Sequence, residues 1–310
     1  RRGRGPMKVV TLGGGTGMPI VLEACSELPV DVTAISAVTD NGRPSGKIRE
    51  NYGIPATGDI RRAVTSLCPD DKVAAAYEPR LPDGMSVGNV VIAREAVRVG
   101  FLEAIENFRY MLNAQGRVLP ASDEVCDIVA YFTDRTICCG ESEIRNQDAF
   151  IDTIFFRPES PSVPAQTIQS IKDADFLVIG PGSLFTSVLA VLAIPDITRA
   201  INDSQGKVIY ICNLATQPGQ TDYYTVDDHC DEIEDYVGID EVIVNTGIPE
   251  QEVLDRYISE GCEPVEVDFH EDHYTYADLI DNNFYSEWNK KPLMRHSTYK
   301  LKKVLKEMVI

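Results

Sequence analysis

The residues with the most chemical character stand in four polar stretches. The first is Gly13, Gly14, Gly15, Thr16 and Gly17, directly after the apolar run "MKVVTL". Glycines let a backbone turn tightly and approach an oxygen, and the free N–H groups of a following helix attract an anion. The combination points to a phosphate cradle. Its spacing fits neither of the two familiar phosphate motifs. A dinucleotide G-x-G-x-x-G starting at Gly13 needs glycine where Met18 stands, and a P-loop needs Lys-Ser/Thr where Met18 and Pro19 stand. An NAD(P)-binding regulator stays open as an alternative, because Asp40 ends the second apolar run, where a ribose-binding acid would sit.

The second stretch, residues 39–62, reads "TDNGRPSGKIRENYGIPATGDIRR" and holds Asp40, Asn41, Ser45, Arg49, Asp59, Arg61 and Arg62. Acids set beside bases suit a phosphate together with a hydroxyl or a magnesium ion. The third, "GPGSLFTS", repeats the glycine turn before a helix. Gly180, Gly182, Ser183 and Thr186 would hold a second phosphate or a sugar oxygen. The fourth, "CNLATQPGQTDYYTVDDH", offers Asn213, Thr216, Gln217, Thr221 and Asp222, groups that fix sugars and bases by hydrogen bonds. Each stretch also has a plainer reading as a tight turn or a capped helix. His270 and His273 in "HEDH" lack a third ligand at helical spacing, so no metal site is assigned. His229 reads as structural or pocket-lining. No Gly-x-Ser-x-Gly is present, and no Ser/His/Asp set is legible.

These stretches need strands and helices to position them. "MKVVTL", "MPIVLEACSEL" and "VDVTAISAVT" read as strand, helix and strand, a βαβ unit that implies a parallel sheet. Residues 40–58 read as an ordered loop, and "GDIRRAVTSL" as a helix with Asp59 as N-cap. Residues 86–114 read as mostly helical. "VCDIVAYFTDRTICCGESEI" reads as a hairpin turning at "TDRT", and "IDTIFFRP" as a strand. Alternation of strand and helix then returns, with "EPVEVDF" as a last short strand and a helical tail from "TYADLIDNN" to "LKKVLKEMVI". The expectation is a single α/β domain over 7–310. It is Rossmann-like and doubly wound, with a mostly parallel sheet, a β-hairpin insertion at about 117–157 and a helical C-terminal tail.

Composition narrows the partners. The chain has 310 residues and a net charge of −19 from 48 acids and 29 bases. Phosphate backbones need a basic footprint, so nonspecific nucleic-acid and anionic-membrane binding are disfavoured. No run reaches the roughly 18 apolar residues of a membrane span. Arg1–Pro6 reads as a cloning remnant or a short basic lead-in to Met7, with no secretory signal. None of the eight cysteines forms C-x-x-C, so they read as reduced thiols of a cytoplasmic protein.

Taken in order, "GGGTG", "TDNGRPSGKIRE", "GIPATGDIRR", "SVGN", "GPGSLFTS" and "NLATQPGQTDYYTVDDH" resemble the CofD / YvcK family, from about Met7 to past residue 245. The resemblance implies a Rossmann-like core and one of two activities. One arm is a 2-phospho-L-lactate transferase, which moves a phospholactyl-type group from a nucleoside diphosphate conjugate to an acceptor alcohol with magnesium. The other is a gluconeogenesis-factor type that binds UDP-sugars and is linked to central carbon metabolism and cell shape. The later motifs lean to the second arm. The expectation is therefore a UDP-sugar-binding metabolic regulator, with Asn89, Asn213 and Thr216 fixing base or sugar, and a homodimer compatible with the family. Arg49, Arg61 or Arg62 would offset phosphate charge. Asp40 and Asp59 would be catalytic, and magnesium needed, only in a transferase. Two departures bear on that alternative: Asn41 and Gln220 stand where the family carries acids.

Overall fold

Residues 5–147, 149–282 and 293–310 are described by the computed structural model. Most of the lead-in at Arg1–Pro6 and part of the expected tail, 283–292, lie outside them. Among the described residues the strands are β1 (Met7–Gly13), β2 (Val30–Ser36), β3 (Arg117–Pro120), β4 (Asp127–Phe132), β5 (Ile137–Cys139), β6 (Ile151–Arg157), β7 (Phe176–Ile179), β8 (Lys207–Ile211), β9 (Glu241–Asn245) and β10 (Tyr274–Ala277).

Seven of them form one sheet in the order β10-β9-β8-β7-β1-β2-β3, with every pairing parallel. Successive side chains alternate between two cores, as a sheet buried on both faces requires. Val9, Val32, Ala34, Val178, Ile209 and Ile243 point to one core. It is closed by the helices Met18–Ser26, Gly58–Ser66, Val87–Val99, Phe101–Met111 and Thr298–Val309. Val10, Leu12, Ile35, Leu177, Tyr210 and Val242 point to the other, closed by Leu184–Leu192, Pro195–Asn202 and Val226–Glu234. This is the doubly wound α/β fold that the alternation of strands and helices predicts.

Several boundaries differ from the sequence reading. The expected loop 40–58 contains a helix, Arg43–Tyr52, with Pro44 in its first turn and Gly53 after its end at φ 63°. Those two residues are start and stop signals that a Gly- and Pro-rich composition hides. Thr57, not Asp59, precedes the helix Gly58–Ser66. The helical stretch 86–114 is two helices broken at Gly100, φ 93°. β3 pairs with β2 at the edge of the main sheet, so the antiparallel insertion β5-β4-β6 begins after it. "EPVEVDF" supplies only an isolated bridge, Ala215 to Pro264. The seventh strand of the sheet is instead β10, at the start of the expected helical tail. Its β-branched and aromatic "YTYA" was the available signal. The tail ends as a helix, Thr298–Val309, packed on Met18–Ser26 and capped by Ser297. No single helix among the described residues is long and apolar enough to cross a membrane.

Candidate functional site

The strand order reverses direction between β1 and β7, because the chain winds outward through β2 and β3 on one side and through β8, β9 and β10 on the other. Such a switch point opens a crevice at the strand C-termini, where open α/β sheets bind ligands. The two glycine turns lie on its two sides. They are in backbone contact: a Cβ on Gly13 would lie 3.9 Å from Gly180 Cα, and one on Gly17 would be driven into the Pro181 carbonyl, 2.7 Å from its carbon. Gly15 and Gly180 both take left-handed conformations, φ 66° and 69°. The absence of side chains therefore serves close packing of the two turns.

The loop after β2 folds over the first turn. The Asp59 carboxylate accepts the Gly15 N–H at 2.8 Å and pairs with Arg62 at 2.6 Å. Burial pushes the Asp59 carboxyl up, and Arg62 and the Gly15 N–H draw it back. An anion of the protein thus occupies one donor of the expected cradle. Asp40 accepts from the Gly42 N–H at 2.8 Å and from Ser45 Oγ at 2.6 Å. It holds its own loop in shape.

The three arginines have different roles. Arg49 pairs with Asp127 at 2.6 Å and donates to the Cys126 and Thr39 carbonyls, tying the loop helix to the insertion. Arg61 is buried; it pairs with Glu78 and donates Nε to Asn89 Oδ1 at 3.1 Å. Both guanidinium groups are held by protein partners and neither lines the cleft, so of the three arginines expected to offset phosphate charge Arg62 is the one placed at it. Arg62 remains partly exposed.

On the other side of the crevice, Asn213 exchanges two hydrogen bonds with the Gly182 backbone, 2.8 and 3.1 Å, and fixes the second turn. Thr186 donates to Ser183 Oγ at 2.8 Å, and Ser183 donates to Gln220 Oε1 at 3.2 Å. Gln220 is fully buried, and its Nε2 has no partner among the described residues. The amide does the accepting that a carboxylate would do and adds a donor behind Ser183. Thr216 is bound through both its N–H and its hydroxyl to Glu263, and Gln217 through its N–H to Thr221. His229 is buried against Tyr224, with Nδ1 2.7 Å from the Thr225 carbonyl oxygen. His270 is exposed and meets the Tyr276 hydroxyl; it joins no metal-ligand cluster among the described residues.

The insertion contributes a residue that sequence reasoning missed. Its short helix Glu141–Ile144 docks on the loop after β2, where Asn41 donates to Glu143 at 2.9 Å and accepts from the Ser142 N–H at 3.0 Å. This contact brings Glu141 near Asp40 and Asp59. Burial, then Asp40, pushes its carboxyl up to about 7, against the pull of Arg145. Only the tertiary docking of a distant hairpin creates this neighbourhood. Asn41→Asp would set a carboxylate against Glu143 and lose the donated hydrogen bond. We expect a cost of about 1–3 kcal/mol in thermal unfolding, largely recovered in the double variant with Glu143→Gln; additive losses would refute the contact's role.

A cleft of about 730 Å³ unites much of this. Thr16, Gly17, Pro181, Gly182 and Ser183 form its floor, and Arg62 and Glu78 one side. Asn213, Thr216 and Gln217 close another, facing Tyr257 and the segment Leu293–His296. That volume suits a small-molecule site. Asp40, Asn41, Ser45, Arg49, Arg61 and Asn89 are not among the lining residues; Arg61, itself held by Asn89, reaches the cleft only through Glu78. Glu78 and Arg295 are lining residues that no motif flagged.

A family model described as 2-phospho-L-lactate transferase CofD matches residues 9–285. The gluconeogenesis factor of Bacillus subtilis (strain 168) is 33% identical over 312 residues, covering 97% of this chain and 98% of the relative. That of Halalkalibacterium halodurans is 34% identical, covering 96% and 95%. A crystal structure of a UPF0052-family protein from Bacillus halodurans has a TM-score of 0.90 at 32% identity, covering 98% of this chain and 99% of that one.

Proposed function

The chain belongs to the CofD family, and on that premise we propose that it binds a UDP-sugar in the switch-point cleft, as a metabolic regulator of the gluconeogenesis-factor type. The observation that carries the reading is the pairing of two glycine turns, from adjacent strands β1 and β7, as the floor of one cleft. A diphosphate spans such a pair of turns, with Arg62 at its side to offset charge. Sugar and base then extend toward the polar wall at Asn213, Thr216 and Gln217. The link to central carbon metabolism and cell shape follows the family. Eight unpaired cysteines fit a reducing compartment, and so a cytoplasmic protein.

The transferase reading would have Asp40 and Asp59 hold magnesium. Their oxygens are engaged by Gly42, Ser45, Gly15 and Arg62. The residues present therefore fit a resident magnesium poorly, and binding is the better-supported function. NAD is disfavoured because Asp40, the acid a ribose would need, does not line the cleft. Isothermal titration with UDP-glucose, UDP-N-acetylglucosamine, GDP and NAD separates these readings. We expect saturable binding of the UDP-sugars and a weaker or absent response to NAD; silence toward both UDP-sugars would sink the proposal.

A further inference from the structure

Three residues of the "SVGN" stretch serve a single guanidinium. Ser86 caps the helix Val87–Val99 by accepting the Asn89 N–H. Gly88 leaves room for the stem of Arg61, whose Cδ would lie 2.8 Å from a Cβ at that position. Asn89 accepts the Arg61 Nε–H. Arg61 itself is 5% exposed, and burial lowers its affinity for its proton while Glu78 opposes that shift. A buried cation needs a partner, and this one has Glu78. The carboxylate is held a second time by Thr65 Oγ1 at 3.3 Å. Both contacts fall on Oε1. Its side chain is nonetheless 48% exposed and lines the cleft beside Arg62.

We infer that Glu78 is the acceptor for ligand sugar hydroxyls in this cleft, with Arg61 as the residue that positions it. The inference rests on the UDP-sugar reading and assigns the hydroxyl-binding acid to Glu78 in place of Asp40. A fixed carboxylate with lone pairs to offer accepts from hydroxyls in charge-assisted hydrogen bonds. It also repels an anionic group, so the phosphates are kept to the glycine turns and Arg62. The hydroxyls belong either to the ribose or to the hexose attached to the diphosphate, and the two sources separate by experiment.

Isothermal titration of the full chain with UDP-glucose, UDP and 2′-deoxy-UDP, for wild type, Glu78→Gln and Arg61→Lys, tests it. Glu78→Gln keeps shape and an oxygen for Arg61, so a folded variant is expected, checked by its thermal unfolding. Loss of a charged acceptor should weaken UDP-glucose about tenfold or more. If Glu78 reads the ribose, through its 2′-hydroxyl, UDP weakens with it and 2′-deoxy-UDP does not. If it reads the hexose, UDP-glucose alone weakens. Arg61→Lys should show the same pattern, because an ammonium cannot hold Asn89 and Glu78 together as a planar fork does. Undiminished binding of UDP-glucose by Glu78→Gln, or an equal loss for all three ligands, overturns the inference. Wild type that binds none of the three removes the UDP-sugar reading, and the inference falls with it.

Discussion

Gly17→Ala is expected to be among the most damaging single methyl additions the chain can receive. Gly17 has φ −80°, so its backbone would accept alanine without torsional strain. The harm is steric and lies across the crevice. The new Cβ would be driven into the Pro181 carbonyl, 2.7 Å from its carbon and 3.1 Å from the Pro181 Cγ. No flexible side chain stands there to move aside. Relief requires the turn after β1 to separate from the turn after β7, and both are pinned by their strands, which pair directly. We expect a loss of about 3 kcal/mol or more, above the usual range for overpacking because backbone meets backbone. Any folded fraction should fail to bind UDP-sugars, since the cleft floor would be split. Gly238→Ala is the control: nothing lies within 4 Å of its new Cβ, and its unfolding should shift by less than about 0.5 kcal/mol. Equal melting of the two variants would show that the turns do not depend on their contact.

That contact also explains what the sequence could and could not reveal. The turns were legible separately, because apolar run, glycines and helix onset are local signals. Their adjacency is a property of sheet order, and no local pattern states that β7, more than 160 residues on from β1, pairs beside it. The family resemblance bridged that gap by ordering the motifs. It was less informative about side chains. Arg49 and Arg61 sit among motif residues and looked like anion binders, yet each is turned to an acid, Asp127 or Glu78, that no motif includes. Asn41 and Gln220, which looked like losses from a metal site, have structural partners suited to amides. Asn41 must donate to Glu143, and Gln220 must accept from a hydroxyl while fully buried. Periodicity likewise failed where an element is too short to show it, as at β10.

Glu141 gives the strongest test of how the insertion bears on the site, through pH. Its side chain is 13% exposed, it lies near Asp40, and its carboxyl is raised from the ordinary value of 4.5 to about 7. A carboxyl with a raised pKa holds its proton more tightly in the folded chain than in the unfolded one. Its contribution to stability is therefore fully present below about pH 4.5 and is lost as pH climbs through about 7. At 1.36 kcal/mol per pKa unit, the wild type forfeits up to about 3 kcal/mol at this one position between mild acid and pH 8. Asp59 is raised in the same direction and the wild type carries that dependence too, so the informative quantity is the difference from Glu141→Gln. The amide keeps the neutral state at every pH and retains an oxygen to accept from Arg145, so little is given up at low pH. Denaturant midpoints should nearly coincide at pH 5, and the variant should be the more stable protein at pH 8. Parallel stability profiles would mean that the carboxyl titrates as if in water and that the insertion does not press it against Asp40. The expected divergence would instead identify the docked hairpin as the source of a proton held against the loop after β2, where its loss at alkaline pH sets Glu141 against two other acids and loosens the insertion.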